Sequence, residues 1–276
     1  YLNFVHDRDF AALFREQMDD FRDQINSVEK LVEKYSIKSP TQPPKKIKFS
    51  HQIDSVTDEF IYRKLHEDLI AELYLMSRAV IDSTLNDEIR EKFIDYTLNH
   101  VENFYSLYKF GKLKGWTEVA PAYQSGKEVK QEALSTSESS QLLEHINFRY
   151  DQLNLTRCFI DVVHDEEFKQ MLNRGQGLLE DQLKTLEDKA VQYELPLPER
   201  PPASQAIKVD PEVLEDEFIY RTILKGMQDS IHIHMRGVIE TLRNDELRNI
   251  YDKFLRQEMK GYHNYVKYGS LKGWTP

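Results

Sequence analysis

A pair of metal ions poised for redox chemistry needs carboxylate ligands. A helical bundle supplies them as one Glu from each of two helices plus a Glu-x-x-His from each of the other two. The i, i+3 spacing puts both ligands of such a motif on one helix face. None of the nine histidines of this chain has a Glu three residues before it. The nearest imitations are Asp161-x-x-His164 and Asp229-x-x-His232. The first falls at the end of a helical pattern, where a turn or cap explains it. The second lies off the apolar stripe that runs through Met227, Ile231, His234 and Val238. His232 and His234 are about 200° apart around a helix, too far round to chelate one ion together. The expectation is therefore no metal site, no cofactor and no catalytic residue.

What remains is a set of polar residues at positions that should face a bundle core. Glu258, His234 and Gln176 each lie on an apolar stripe of the second half of the chain, where the first half has His100, Met76 and Met18. A buried carboxyl must find a partner or keep its proton, and such groups mark candidate binding sites. Reckoned along their helices, His234 and Glu258 differ in height by about 9 Å at 1.5 Å per residue, so contact between them is not expected. Gly175, Gly177, Gly226, Gly237 and Gly261 also fall within helical patterns of the second half. Each costs roughly 1 kcal/mol against Ala in a helix, so their accumulation points to close helix approach or to an opened cavity.

The elements that must position these residues are helices throughout, and they come twice. Residues 4–117 match residues 162–275 at a constant offset of 158 without a gap. Val5-His6-Asp7 returns as Val163-His164-Asp165, Asp58-Glu59-Phe60-Ile61-Tyr62-Arg63 as Asp216-Glu217-Phe218-Ile219-Tyr220-Arg221, and Asn86-Asp87-Glu88 as Asn244-Asp245-Glu246. Phe110-Gly111-Lys112-Leu113-Lys114-Gly115-Trp116 returns as Tyr268-Gly269-Ser270-Leu271-Lys272-Gly273-Trp274. A period of this length is that of a domain, far beyond the roughly 20–50 residues of a solenoid unit.

Within each copy, apolar residues at 4-3 spacing predict long amphipathic helices, as in Phe14, Met18, Phe21, Ile25, Val28, Val32 and Tyr35. Further helices are predicted over about Val56–Leu85 and Val213–Arg243, each followed at once by another that ends at Gly111 or Gly269. The pattern over Leu142–Val163 adds a helix ahead of the His164-Asp165 turn. Short connections make antiparallel hairpins. The proline-containing segments Ser36–Ile53 and Glu194–Pro211 are long enough to run the length of a ~40 Å bundle at roughly 3.3 Å per residue. Two hairpins joined by one long crossover describe a ferritin-like four-helix bundle. The expected fold is thus all-α, with two tandem ferritin-like bundles over residues 1–117 and 138–276 and a linker over 118–137. The first copy is expected to begin part-way along its first helix. In the terminal motif the leucine is expected to fold back on the last turn while the tryptophan covers the end of the core.

The doubled unit, the Asp-Glu-Phe-Ile-Tyr segments and the Gly-x-Leu-Lys-Gly-Trp motifs together resemble the two-repeat bacterial proteins of the domain-of-unknown-function family 3231, known mostly from endospore-forming Gram-positive bacteria. The resemblance implies a tandem ferritin-like fold and a link to sporulation or stress; the expected role is that of a non-enzymatic structural or interaction protein, with a small-ligand-binding bundle as the alternative and a metal-dependent oxidase or metal store disfavoured by the missing Glu-x-x-His. It brings no established catalytic residues.

Composition narrows the partners. The net charge is −10 and neither half is basic, so the Lys/Arg stripe that a nucleic acid requires is missing. The basic cluster Lys45-Lys46-Ile47-Lys48 reads as a solvated loop. No apolar run reaches the roughly 20 residues needed to cross a bilayer, so no membrane partner is expected. The single cysteine, Cys158, suits a reducing compartment and a cytoplasmic location. A protein partner, self-association and a small ligand held by the second copy all remain compatible with the chain.

Overall fold

A computed structural model describes residues 2–39, 56–117, 133–200 and 214–276. Every described element is helical: a short 3-10 turn at Leu2–Phe4, then α1 (Arg8–Lys34), α2 (Asp58–Asp82), α3 (Asp87–Lys114), α4 (Thr136–Val162), α5 (Glu166–Gln192), α6 (Asp216–Glu240) and α7 (Asp245–Lys272). The fold is all-α. Asp7, Ser135, Asp165 and Asn244 cap the starts of α1, α4, α5 and α7 through side-chain oxygens, and at α4 the Glu138 side chain returns the bond to close a capping box. Acidic residues occupy the first turns of α2, α3, α6 and α7, where the helix dipole favours them. The crossovers expected over Ser36–Ile53 and Glu194–Pro211, and the linker expected over 118–137, lie largely outside the described residues. At the end of that linker, Ser135 is already the cap of α4.

The chain divides into two compact units, one built on α1–α3 and the other on α4–α7, with the α2–α3 turn, Val80–Arg90, grouped with the second. In the second unit the four helices close a ring of side-chain bonds around an apolar core. Tyr150 of α4 donates to Glu187 of α5 (2.5 Å), Gln182 of α5 to Gln257 of α7 (3.0 Å), Tyr265 of α7 to the Tyr220 carbonyl of α6 (3.1 Å), and Gln152 of α4 to the Gly226 carbonyl of α6 (3.1 Å). Leu142, Ile146, Leu186, Ile231, Val238 and Phe254 fill the interior.

The recurring motifs meet at one end of each unit. The Asp216 carboxylate accepts from the backbone N–H groups of His164 (2.9 Å) and Asp165 (2.7 Å), and Asp58 does the same for His6 (2.8 Å) and Asp7 (2.7 Å). Lys272 then reaches Asp165 at 2.6 Å, as Lys114 reaches Asp7 at 2.6 Å. These contacts tie the Val-His-Asp turn, the Asp-Glu-Phe start and the terminal Lys together, which gives the three segments a common structural purpose.

The terminal motif differs from the expectation in two respects. α3 and α7 do not stop at Gly111 and Gly269; they run on to Lys114 and Lys272, and the left-handed residue after each is Gly115 (φ 71°) or Gly273 (φ 74°). The last turn of each helix accepts the tryptophan N–H, Trp116 to the Gly111 carbonyl at 2.9 Å and Trp274 to the Gly269 carbonyl at 2.8 Å. The leucines do not fold back: Leu113 and Leu271 are 85% and 87% exposed. The tryptophans do pack inward. Trp274 lies 5.4 Å from Phe168 and 5.9 Å from Tyr220, and Trp116 lies 5.6 Å from Phe10 and 5.8 Å from Tyr62.

Gly111 and Gly269 are required inside their helices for a different reason. A Cβ at Gly269 would sit 2.0 Å from the Tyr220 hydroxyl oxygen, and one at Gly111 2.1 Å from that of Tyr62. Tyr220 cannot swing aside, because it is fully buried and stacked on Tyr265 at 4.7 Å. Gly269→Ala should therefore destabilise the protein by about 1–3 kcal/mol, as overpacking does. Gly177→Ala, with open space around its Cβ, should instead stabilise by roughly 0.5–1 kcal/mol through helix propensity. Chemical denaturation of the two variants checks the opposite signs, and a Gly269→Ala protein as stable as its parent would contradict the packing argument.

Candidate functional site

The second unit is built around a buried charge. Arg149 lies midway along α4 on the stripe Leu142, Ile146, Arg149, Leu153, Thr156, all of them buried, and is itself fully buried. Its guanidinium is met from three helices. One terminal nitrogen donates to Gln152, one turn on in α4, and to Ser230 of α6 at 3.2 Å. The other donates to His234 of α6 and lies 3.7 Å from the carboxylate of Glu258 on α7. Arg149 Nε has no hydrogen-bond partner among the described residues.

This arrangement fixes protonation states. An Arg nitrogen can only donate, so His234 Nε2 must accept and the ring must be neutral with its proton on Nδ1. Burial, reinforced by the Arg149 charge and by His145, holds His234 well below the usual histidine range. His145 lies beside it, with ring centroids 5.5 Å apart, stacked at 4.3 Å on Tyr251 and bonded through Nδ1 to the Gln141 carbonyl (2.9 Å); burial brings it down to about 3. Glu258 moves the other way. Burial pushes its carboxyl up to about 7 against the opposing pull of Arg149.

Glu258 also forms part of the wall of a cavity of about 390 Å³ that opens between the helices of this unit. Leu155, Met171, Leu178, Leu179, Ile223 and Met227 supply much of its apolar lining. Gly175, Gly226 and Gly261 lie in its wall, so three of the five helical glycines open space. Gly237 instead permits close approach, since a Cβ there would sit 2.7 Å from the Tyr251 ring. Glu258 is only 6% exposed, makes no hydrogen bond among the described residues, and presents its carboxyl to this cavity.

Of the three residues expected to form a site, the structure brings two together. Glu258 and His234, expected not to meet, lie against the same nitrogen of Arg149. The reckoning along helix axes neglected a side chain long enough to reach between them. Gln176 is elsewhere: half-buried on α5, it donates to Glu180 at 2.8 Å and takes no part in the cavity wall. The apolar seam of α5 slackens where the cavity opens, and the residue at that position turns toward solvent. The partner that a buried carboxyl requires is, for Glu258, Arg149. Arg149, Gln152 and Ser230 were not anticipated, although the 4-3 stripe of α4 already places Arg149 inward.

Among the described residues no group of three or more His, Cys, Asp or Glu side chains could hold a metal ion, and no helix is long and apolar enough to cross a membrane.

The buried titratable groups set the acid stability of this unit. Histidines whose folded pKa is depressed bind fewer protons folded than unfolded between that value and about 6.5, so they make stability fall as pH drops through that window. Glu258, raised from 4.5 to about 7, binds more protons folded than unfolded over that interval and opposes them. Glu258→Gln should remove this opposition. Between pH 4.5 and 6.5, its stability should climb with pH more steeply than that of the parent, by about 1.4 kcal/mol per pH unit for one proton. Parallel profiles from denaturation across that range would show that Glu258 does not carry a raised pKa.

Residues 125–275 match the protein family described as "Protein of unknown function (DUF3231)". No curated protein matches the sequence. Among solved structures, a candidate spore coat protein from Bacillus halodurans C-125 aligns at 18% identity with a TM-score of 0.47, covering 51% of this chain and 91% of its own.

Proposed function

The chain belongs to the DUF3231 family of proteins of unknown function, and from that premise we propose that it is a non-enzymatic binding protein that holds a small, largely apolar molecule in the cavity of its second unit. The fold that accompanies this reading is two tandem ferritin-like bundles, and the setting is sporulation or stress, as the resemblance to proteins of endospore formers suggests. One observation carries the binding role: an apolar cavity of about 390 Å³ kept open by helical glycines, with a nearly buried carboxyl in its wall that lacks a hydrogen bond among the described residues. Such a combination, mostly apolar surface with a few convergent polar groups, is the usual form of a small-molecule site. A bundle selected for stability alone would close it with larger side chains, because each void forfeits contacts.

A metal-storage or oxidase role finds no support in the donor sets, and a purely structural role leaves the glycines and the open carboxyl without a purpose. The proposal is tested by filling the cavity. Gly261→Leu places a branched side chain in its wall, where the nearest neighbour is the flexible end of Met227 at 3.4 Å from the new Cβ. Apolar ligands should raise the melting temperature of the parent, by an amount equivalent to about 2.7 kcal/mol at a hundredfold excess over Kd. They should leave the Gly261→Leu protein unshifted. Equal shifts in both proteins would place binding elsewhere and end the proposal.

A further inference from the structure

The binding role proposed above leaves open what the cavity selects, and this inference rests on that role. We infer that the cavity of the second unit takes an unbranched aliphatic molecule with a neutral hydroxyl end, and that this hydroxyl donates to the Glu258 carboxyl.

The apolar end of the argument is shape. Leu155, Met171, Leu178, Leu179, Ile223 and Met227 give the cavity flexible aliphatic walls, and its one aromatic wall residue is Tyr265. Met side chains in particular adapt to a chain that itself has many conformers. A cavity of about 150 Å³ takes benzene, and by that ratio one of about 390 Å³ has room for a chain of up to about 16 heavy atoms.

The polar end is a question of which hydrogen-bonding capacity is left over. The donors of the charge cluster that line the cavity, Gln152 and Ser230, are committed, and Arg149, whose Nε has no partner among the described residues, does not line it. Gln152 Nε2 donates to the Gly226 carbonyl (3.1 Å) and to Ser230 (2.8 Å), Ser230 donates to the Gly226 carbonyl (3.0 Å), and Arg149 serves Gln152, Ser230 and His234. Thr156, Thr222 and Asn264 add neutral polar atoms to the lining, and the Glu258 carboxyl is its buried charged acceptor, so a ligand that engages Glu258 must bring a donor. Charge then decides between donors. Arg149 and ionised Glu258 already sum to zero, with 3.7 Å between them. An ammonium end would bury a second cation against one carboxylate, and a carboxylate end would bury a second anion unless a proton entered with it; both are costly in a dry site. A hydroxyl adds no charge. Arg174, exposed at the mouth, favours an anion instead, so an acid is the rival that any measurement must include.

The test is calorimetric titration of the full chain at pH 7.5 with four probes of one chain length: 1-decanol, decyl methyl ether, decanoate and decylamine. Decanol should bind at least tenfold more tightly than its ether, which keeps the chain and the oxygen but loses the donor, and more tightly than either charged probe. Glu258→Gln should weaken decanol at least fivefold, since a neutral acceptor replaces a charged one. Gly261→Leu should abolish binding. If Glu258→Gln does not fold, the comparison of alcohol with ether on the unsubstituted protein decides alone. Ether equal to alcohol, or decanoate or decylamine tighter than alcohol, would overturn the hydroxyl assignment while leaving the cavity as a binding site. No binding by any probe, or binding indifferent to Gly261→Leu, would overturn the cavity reading as well.

Discussion

A guanidinium buried in the middle of a helical bundle is the constraint on which the second unit depends. Burial brings the Arg149 guanidinium down only to about 10, so it is charged at neutral pH and its surroundings must compensate it. Arg149 obtains acceptors from its own helix at Gln152, from α6 at Ser230 and His234, and a counter-charge from α7 at Glu258. Each of these residues loses freedom in turn. His234 must be neutral and of one tautomer, the Gln152 amide must point its oxygen at Arg149 and its nitrogen at α6, and Glu258 must remain near enough to compensate. The polar centre is therefore one object, and its members should not be expected to respond independently to substitution.

The first unit solves a comparable problem by the opposite route. At the positions 158 residues before Ser230 and Glu258 it has Glu72 and His100, with His100 Nδ1 3.7 Å from a Glu72 oxygen. Burial pushes Glu72 up to about 7 and brings His100 down to about 4, so near neutral pH the imidazole is neutral and the carboxyl is close to its midpoint, with no guanidinium to be compensated. His100 packs against Phe21 at 5.0 Å, and its ring nitrogens make no hydrogen bond among the described residues. The same two helix positions thus carry a carboxyl–imidazole pair in one unit and half of a charge-compensating network in the other. This is the physical content of the difference between the two units.

How much of this could be read beforehand depended on sequence distance. Helices α1, α2, α3 and α5 to α7 follow from periods and caps within a few residues of one another, and their bounds lie close to the expected ones. The pairing of Arg149 with His234 and Glu258 spans 85 residues in the first case, and no local pattern reports it. In the sequence, Arg149 as a lone charged residue reads as solvent-facing, although its place in the Leu142, Ile146, Leu153, Thr156 stripe points inward. Gln176 failed for the reverse reason: the stripe put it inward, but a stripe predicts burial only where something packs on it. Gly111 and Gly269 lie within the last turns of α3 and α7 and make room for a tyrosine ring instead of ending the helix. Glycine in the last turns of a helix satisfies a C′ position and a close contact equally well, and only the position of the Tyr62 and Tyr220 rings distinguishes them.

The cavity and the charge cluster are coupled through one such glycine. Gly226 offers its carbonyl to both Gln152 and Ser230, and a Cβ there would already stand 3.6 Å from Gln152 Nε2. A larger side chain at that position would press on the amide that reaches from α4 to α6, and a displaced amide would no longer present its oxygen to Arg149. The same residue, by lacking a side chain, leaves space in the cavity wall beside Glu258. Helical glycine carries a cost of roughly 1 kcal/mol per residue, and here that cost supports two features at once: the bond that orients the polar cluster and the opening through which its carboxyl is reached. A bundle could have satisfied Arg149 with a closed wall. That it does so beside an open one is why the carboxyl, rather than the arginine, is the group a ligand would meet.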